Sequence, residues 1–416
     1  NLSLSLLFAL CFLSAFSLTY NMTGKYKYAL LNKTLLKLTK NFHTLNFIYD
    51  AIINSAGNLN RMLDGIFRFQ FIWDPTRIYP SPVITEVPFF SYLYGDLHAH
   101  NIVIPVTVLA IAFLYNAAKT ENKTLNILNS FGNNLAERTL NILLISLLLG
   151  IMLPMNTWNF PPQLILTALT VFLISYFIYK NTSGKKLKAA EHIKKITTLF
   201  INFLIMSIVI AITAYILFLP FHLNFVSPYK AIPRLISKME RVSVFVMFKY
   251  FSIFFFIIFA YIIFNINKGW RSFAKKTGFL KINWFNFEKI EKNVSKIFDK
   301  IFYDNKISLI FIITTITILL AILIGWLIQP TFGIIFLMAV VCLWQLIKTN
   351  DRTEAFSLLL VLICFGIIIG TEIYFLGDGR MNTVFKFYMV AWTFLAVALP
   401  YLFYKIINET KKYLLL

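Results

Sequence analysis

The segment Tyr94-Gly-Asp-Leu-His-Ala-His100 sets one carboxylate, Asp96, and two imidazoles, His98 and His100, at alternate positions directly before an apolar run. The chain has only 5 histidines and 18 acidic residues, so this is its densest group of potential ligands and proton carriers. If the segment is extended, the three side chains share one face, as three ligands of a divalent cation such as Mg or Mn would. If it opens a helix, Asp96 and His100 share a face and His98 points elsewhere. Asp96 can then cap the orphan amides of that helix. Three readings stay open: a metal site on Asp96, His98 and His100, an acid/base or hydrogen-bonding role in a substrate pocket, and a helix cap flanked by interfacial histidines.

Other polar groups are sparse and clustered. Trp73-Asp-Pro-Thr-Arg77 and Glu86-Val-Pro-Phe-Phe90 precede the Asp96 cluster. Asn156-Thr-Trp-Asn-Phe-Pro-Pro162 joins two apolar runs, and residues 220–245 carry His222, Arg234 and Arg241. A last segment runs from Gly370-Thr-Glu372 through Asp378, Arg380 and Asn382 to Lys386. Arg380 and Lys386 suit a phosphate, Arg being the better bidentate donor; an Asp378–Arg380 ion pair capping the last span is the competing reading. Trp73, Tyr94 and Trp158 suit stacking on a sugar ring, although aromatic belts at membrane interfaces are common. Asn156 suits a polyol hydroxyl or simply a rigid turn. Glu86 and Glu372 are further acid/base and binding candidates.

The elements that hold these groups are membrane spans. Hydrophobic residues make up 58% of the chain and charged residues only 14%, against about a quarter charged in soluble domains. The fold class is therefore all-α, a polytopic bundle forming a single transmembrane domain over 1–416. Apolar stretches long enough to cross about 30 Å of hydrocarbon lie near 2–19, 101–118, 139–155, 163–179, 199–219, 246–266, 307–327, 332–347, 355–370 and 385–404. A weaker stretch near 41–57 brings the expected count to about 11.

With that eleventh span included, 29 of the 39 Lys and Arg residues fall in one set of loops and 10 in the other set or at a span edge. Positive charge marks the cytoplasmic side, so the polar segments collect at the extracytoplasmic face of the cell membrane. The net charge of +21 is thereby explained by orientation signals, and nucleic acid is not an expected partner. The longest basic loop, 267–306, is amphipathic and suits an interfacial helix on an anionic leaflet. All three cysteines lie in apolar runs, so no disulfide framework is expected.

These segments resemble the YYY membrane protein family of archaea and bacteria. The likeness rests on Trp73-Asp-Pro-Thr-Arg77, Glu86 to His100, Asn156-Thr-Trp-Asn-Phe-Pro161 and Arg380-Met-Asn-Thr-Val-Phe-Lys-Phe-Tyr388. Ala99 stands where that family tends to have proline. The three-tyrosine motif is expected upstream of Asn1, so more protein is expected there. The family is similar in architecture to GT-C glycosyltransferases, which take sugars from polyprenyl-phosphate carriers. The resemblance implies outer-face loops that form the site, and a sugar transfer there. Asp96 would be base or ligand, and His98, His100 and Glu86 would serve acid/base chemistry. Trp73, Arg77, Tyr94, Asn156, Trp158, Glu372, Asp378, Arg380, Asn382 and Lys386 would bind substrate. The partners would be membrane lipid and a polyprenyl-phosphate-linked sugar. A transporter or flippase of a lipid-linked substrate and a metal-dependent lipid-phosphate hydrolase are the alternatives. A transferase predicts a groove open beside the site; a transporter predicts a polar path through the bundle.

Overall fold

The computed structural model describes residues 2–28, 78–79, 83–88, 91–92, 98–182, 189–226, 232–277, 305–377 and 379–414. Ten long helices organise them: α1 (Leu2–Thr23), α2 (Ala99–Lys119), α3 (Leu135–Gly150), α4 (Phe160–Thr182), α5 (Ala189–Leu217), α6 (Ser252–Thr277), α7 (Asn305–Leu327), α8 (Pro330–Lys348), α9 (Arg352–Ile373) and α10 (Arg380–Leu414). Ten of the expected spans overlie these helices; the one over 246–266 includes the short helix Val244–Tyr250 and a break at Phe251. The eleventh, 41–57, lies outside the described residues. So does 278–304, most of the basic loop, although α6 runs on through residues 267–277.

Among the described residues, seven segments are long and apolar enough to cross a membrane. One of them, Leu135–Thr182, is folded back on itself. At the end of α3, a Cβ on Gly150 would collide with Ala214 and Phe218, near the end of α5. At the end of α4, Tyr179 Oη lies 3.1 Å from His192 Nδ1, near the start of α5. Thus α3 runs with α5 and α4 against it, and the turn between them is Asn156-Thr-Trp-Asn159.

Helix ends follow local chemistry. Asn134 caps α3 by accepting from Glu137 N at 2.9 Å, and Asp351 caps α9 by accepting from Thr353 N and Glu354 N at 3.0 and 3.2 Å. Such caps satisfy amides that the helix itself leaves unpaired. Pro330 opens α8, where its missing N–H costs nothing. Between α9 and α10 the chain forms β2 (Tyr374–Leu376), which pairs antiparallel with β1 (Pro233–Leu235). Gly377 then turns the chain at φ +84°, a region glycine enters freely.

α9 and α10 form the centre of the bundle, with Phe356, Phe365, Tyr388, Trp392 and Phe394 fully enclosed. α5 and α7 are peripheral and expose rows of isoleucine and leucine, the surface that hydrocarbon solvates at no cost. The helices alternate in direction, so the connections sort to two ends. One end holds His98, the turn at 156–159, the β ribbon and the start of α10: Trp158 packs on Phe387 at 5.5 Å and His100 on Phe385 at 4.7 Å. The opposite end holds the basic connections, where Lys180 donates to Thr349 O at 2.8 Å and Arg352 to Ala118 O at 3.0 Å.

Candidate functional site

The first turn of α2 brings His100 into the protein. Its ring is 4% exposed and stands edge-on to Phe385. Nε2 has no hydrogen-bond partner and lies 3.8 Å from Glu86 Oε1, beyond hydrogen-bond reach. A buried imidazole nitrogen without a partner is uncommon in folded proteins. His98, the residue just before the helix, places its ring 5.2 Å from that of His100.

Glu86 is held from two sides. Ser91 Oγ donates to its Oε1, and Tyr250 Oη donates to its backbone carbonyl at 2.6 Å. Tyr250 belongs to a packed aromatic group with Tyr79, Tyr388 and Trp392. Tyr79 and Tyr388 join hydroxyls at 2.8 Å. Burial, then the neighbouring Tyr388, pushes the Tyr79 phenol well above its ordinary range. The backbone at Glu86 is therefore tied to this packed aromatic group, while Ser91 holds its carboxylate.

The start of α10 supplies the cations, and the two differ. Arg380 is 8% exposed and pairs with buried Glu372. It also donates to Glu240 O and, at 3.3 Å, to Thr371 O, while its Nε has no partner. Glu372 accepts a second bond from Val242 N at 2.9 Å. The pair thus ties residues 240–242 to the junction of α9 and α10. Glu240 itself is exposed; hydrogen bonds from the Ser237 hydroxyl and amide hold its carboxyl below the usual range.

Lys386, by contrast, has no acid partner among the described residues. Its ammonium lies 5.8 Å from the centre of the half-buried Trp158 ring, an attraction that leaves its N–H donors free. Asn382 is exposed one turn earlier on the same helix. Asn156 is buried and donates to Asn159 Oδ1 at 2.7 Å, and Asn159 donates to Thr107 Oγ1 at 3.1 Å. That chain pins the turn to α2 and favours the rigid-turn reading of Asn156.

Beside this end opens a groove of about 880 Å³ between α4, α8 and α9. Its mouth is bordered by Pro161, Thr371, Thr383 and Phe387, and its walls are Leu169, Leu346, Leu362 and Ile367 among other apolar residues.

The described members of the expected site, Glu86, His98, His100, Asn156, Trp158, Glu372, Arg380, Asn382 and Lys386, all lie at this one end. Trp73, Arg77, Tyr94, Asp96 and Asp378 lie outside the described residues. Among the described residues no cluster of three or more His, Cys, Asp or Glu could hold a metal ion; the expected triad includes Asp96 and reaches beyond them. Sequence reasoning missed the Glu372–Arg380 pair, the stacking of Lys386 on Trp158 and the support of Glu86 by Ser91 and Tyr250. Lys386 with Trp158 and Tyr250 with Glu86 are distant in sequence and leave no trace in local spacing; the two nearer pairs depend on how the chain turns between them.

Helical passes with their charge and polar chemistry gathered at the ends define a multi-pass membrane protein. A family model described as uncharacterized membrane protein (DUF2298) matches residues 1–395, and the chain belongs to that family. No curated protein and no solved structure matches it.

Proposed function

We propose that the protein is a membrane glycosyltransferase of GT-C-like design, moving a sugar from a polyprenyl-phosphate donor at the extracytoplasmic face of the cell membrane. One observation carries this reading: Lys386, with no acid partner among the described residues, stands over Trp158, whose ring packs on the groove residue Phe387, while the neighbouring Phe385 packs on His100, 3.8 Å from Glu86. The groove suits the prenyl tail, and its apolar wall supports a lipid over the polar track that a transporter needs.

In the proposed reaction the acceptor hydroxyl attacks the anomeric carbon. The bond from that carbon to the phosphate oxygen breaks, and polyprenyl phosphate departs with the electron pair. Lys386 stabilises the charge that grows on the leaving phosphate. Glu86, His100 or Asp96 takes the acceptor proton, a task for a carboxylate or imidazole within hydrogen-bond reach. His98 lies at hand as a further proton carrier. Asn382, with Trp73, Arg77 and Tyr94, would line the sugar; Glu372 and Arg380 hold the wall behind it, with Asp378 between them in sequence. A divalent cation on Asp96, His98 and His100 would add positive charge at the phosphate.

Cells carrying Asp96→Asn or Glu86→Gln test this reading when their glycolipids and glycoproteins are profiled by mass spectrometry. Loss of a glycoconjugate class is expected. An unchanged profile in both well-expressed variants would overturn it.

A further inference from the structure

The groove continues far past the site. On α4 its lining runs from Pro161 to Tyr176, 15 residues or about 22 Å at about 1.5 Å each. One leaflet is only about half of ~30 Å of hydrocarbon. A chain that starts at Lys386 therefore travels beyond the bilayer midplane before it meets the end wall. That wall is polar: Tyr176 Oη donates to Ile347 O at 2.7 Å, bridging α4 to the last turn of α8.

The path is also kept smooth. Gly366 and Gly370 line it on successive turns of α9. A Cβ on Gly366 would have nothing within 4 Å, and one on Gly370 only Tyr374 Oη at 3.9 Å. Neither glycine is needed for helix packing, and glycine weakens a helix interior. The space they leave open belongs to the groove.

We infer that the groove is a chain-length gauge: it takes the single long hydrocarbon chain of a lipid phosphate, and the wall at Tyr176 sets the length the protein prefers. This rests on the lipid-phosphate reading of the site end. Charge complementarity commits the occupant: Lys386, beside the mouth residue Phe387 and over Trp158, has no acid partner among the described residues. Ordinary leaflet lipids are too short to fill the far part. Gly366 and Tyr176 are thus specificity-determining residues.

The test is a titration of the purified protein in nanodiscs with polyprenyl monophosphates of graded length. Binding is read by native mass spectrometry. In the wild type, affinity rises with length and then levels off where the chain reaches Tyr176. Gly366→Leu moves the plateau to shorter chains and weakens long-chain binding at least tenfold, with Gly366→Ala as the folding control. Tyr176→Ala moves the plateau to longer chains and provides the reading if Gly366→Leu fails to fold. No length dependence in the wild type, an unmoved plateau in the variants that fold, or bulk phospholipid alone in the groove would overturn the inference. Length-dependent binding without sugar transfer would leave the gauge standing and defeat the transferase reading. Sugar transfer without length dependence would do the reverse.

Discussion

At the basic end of the bundle, Asp351, Glu354 and Lys405 are buried or half-buried and each is fully partnered; at the site end, among the described residues, His100 Nε2 has no hydrogen-bond partner and Lys386 no acid. Glu354, 2% exposed, accepts from Tyr261 at 2.6 Å, from Gln345 at 3.3 Å, from Thr349 and from Lys405 at 2.8 Å. Asp351 accepts from Tyr401 at 2.5 Å and from Lys405 at 2.8 Å while capping α9. The network joins α6, α8, α9 and α10, and every bond in it closes on the protein. A fully satisfied buried network fixes a structure. At the other end Glu372 and Arg380 form such a buried pair, whereas among the described residues His100 Nε2 and the Lys386 ammonium keep bonding capacity for something else. The contrast separates polar groups that hold the bundle from those available to a ligand.

The largest effect is expected where the network is cut. Lys405→Met leaves two carboxylates facing each other, and Glu354→Leu leaves Lys405 short of a partner. Either should cost about 3–5 kcal/mol, the usual penalty for an orphaned buried charge, read as a drop in thermal stability in detergent. A neutral result would dissolve the distinction between the two ends. Arg380→Lys should come next. It keeps the charge and loses the fork that reaches Glu372, Thr371 and Glu240 together, at a cost of about 1.5–3 kcal/mol. If Arg380 served only a ligand, stability would not move.

Asp351→Ala removes a helix cap and should cost about 1 kcal/mol. Burial alone would raise the Asp351 carboxyl, but hydrogen bonds from Lys405 and Tyr401 outweigh it and hold the group below its ordinary range. Its stabilisation is therefore full above the unfolded value of about 3.9 and is lost as pH falls through the lower folded value. Acid melting curves should show that limb in the wild type, and it should be absent in Asp351→Ala. The smallest effect is a gain: Gly366→Ala should stabilise α9 by roughly 0.5–1 kcal/mol, since its added methyl meets only open groove. Destabilisation there would mean that the groove is filled by the protein itself.

Much of this architecture was legible in the sequence. Apolar length located ten helices, because backbone groups in hydrocarbon must pair within the segment. The described basic connections share one end, and the described parts of the polar segments at 98–100, 156–162, 220–245 and 372–386 meet at the other. Asp351-Arg-Thr-Glu354 carries a readable cap, an acid followed three positions on by glutamate. Its union with Lys405 was not readable, since it depends on α9 and α10 running antiparallel side by side. The same limit applied to Arg380 and Lys386. They look alike as cations six residues apart, and only packing shows that one is bound by Glu372 while the other stands over Trp158 with no acid among the described residues. Nor does sequence tell what Gly366 and Gly370 do; the structure turns both toward an open groove.

The most direct measurement is a titration of the wild-type protein and Lys386→Met with one polyprenyl phosphate, alongside thermal melts of both and of Lys405→Met. We expect Lys386→Met to melt with the wild type and to lose about 10–100-fold in affinity, the ~1.5–3 kcal/mol of one charge-assisted hydrogen bond. Equal affinity in the two proteins, or a melting point that falls with that of Lys405→Met, would contradict the account.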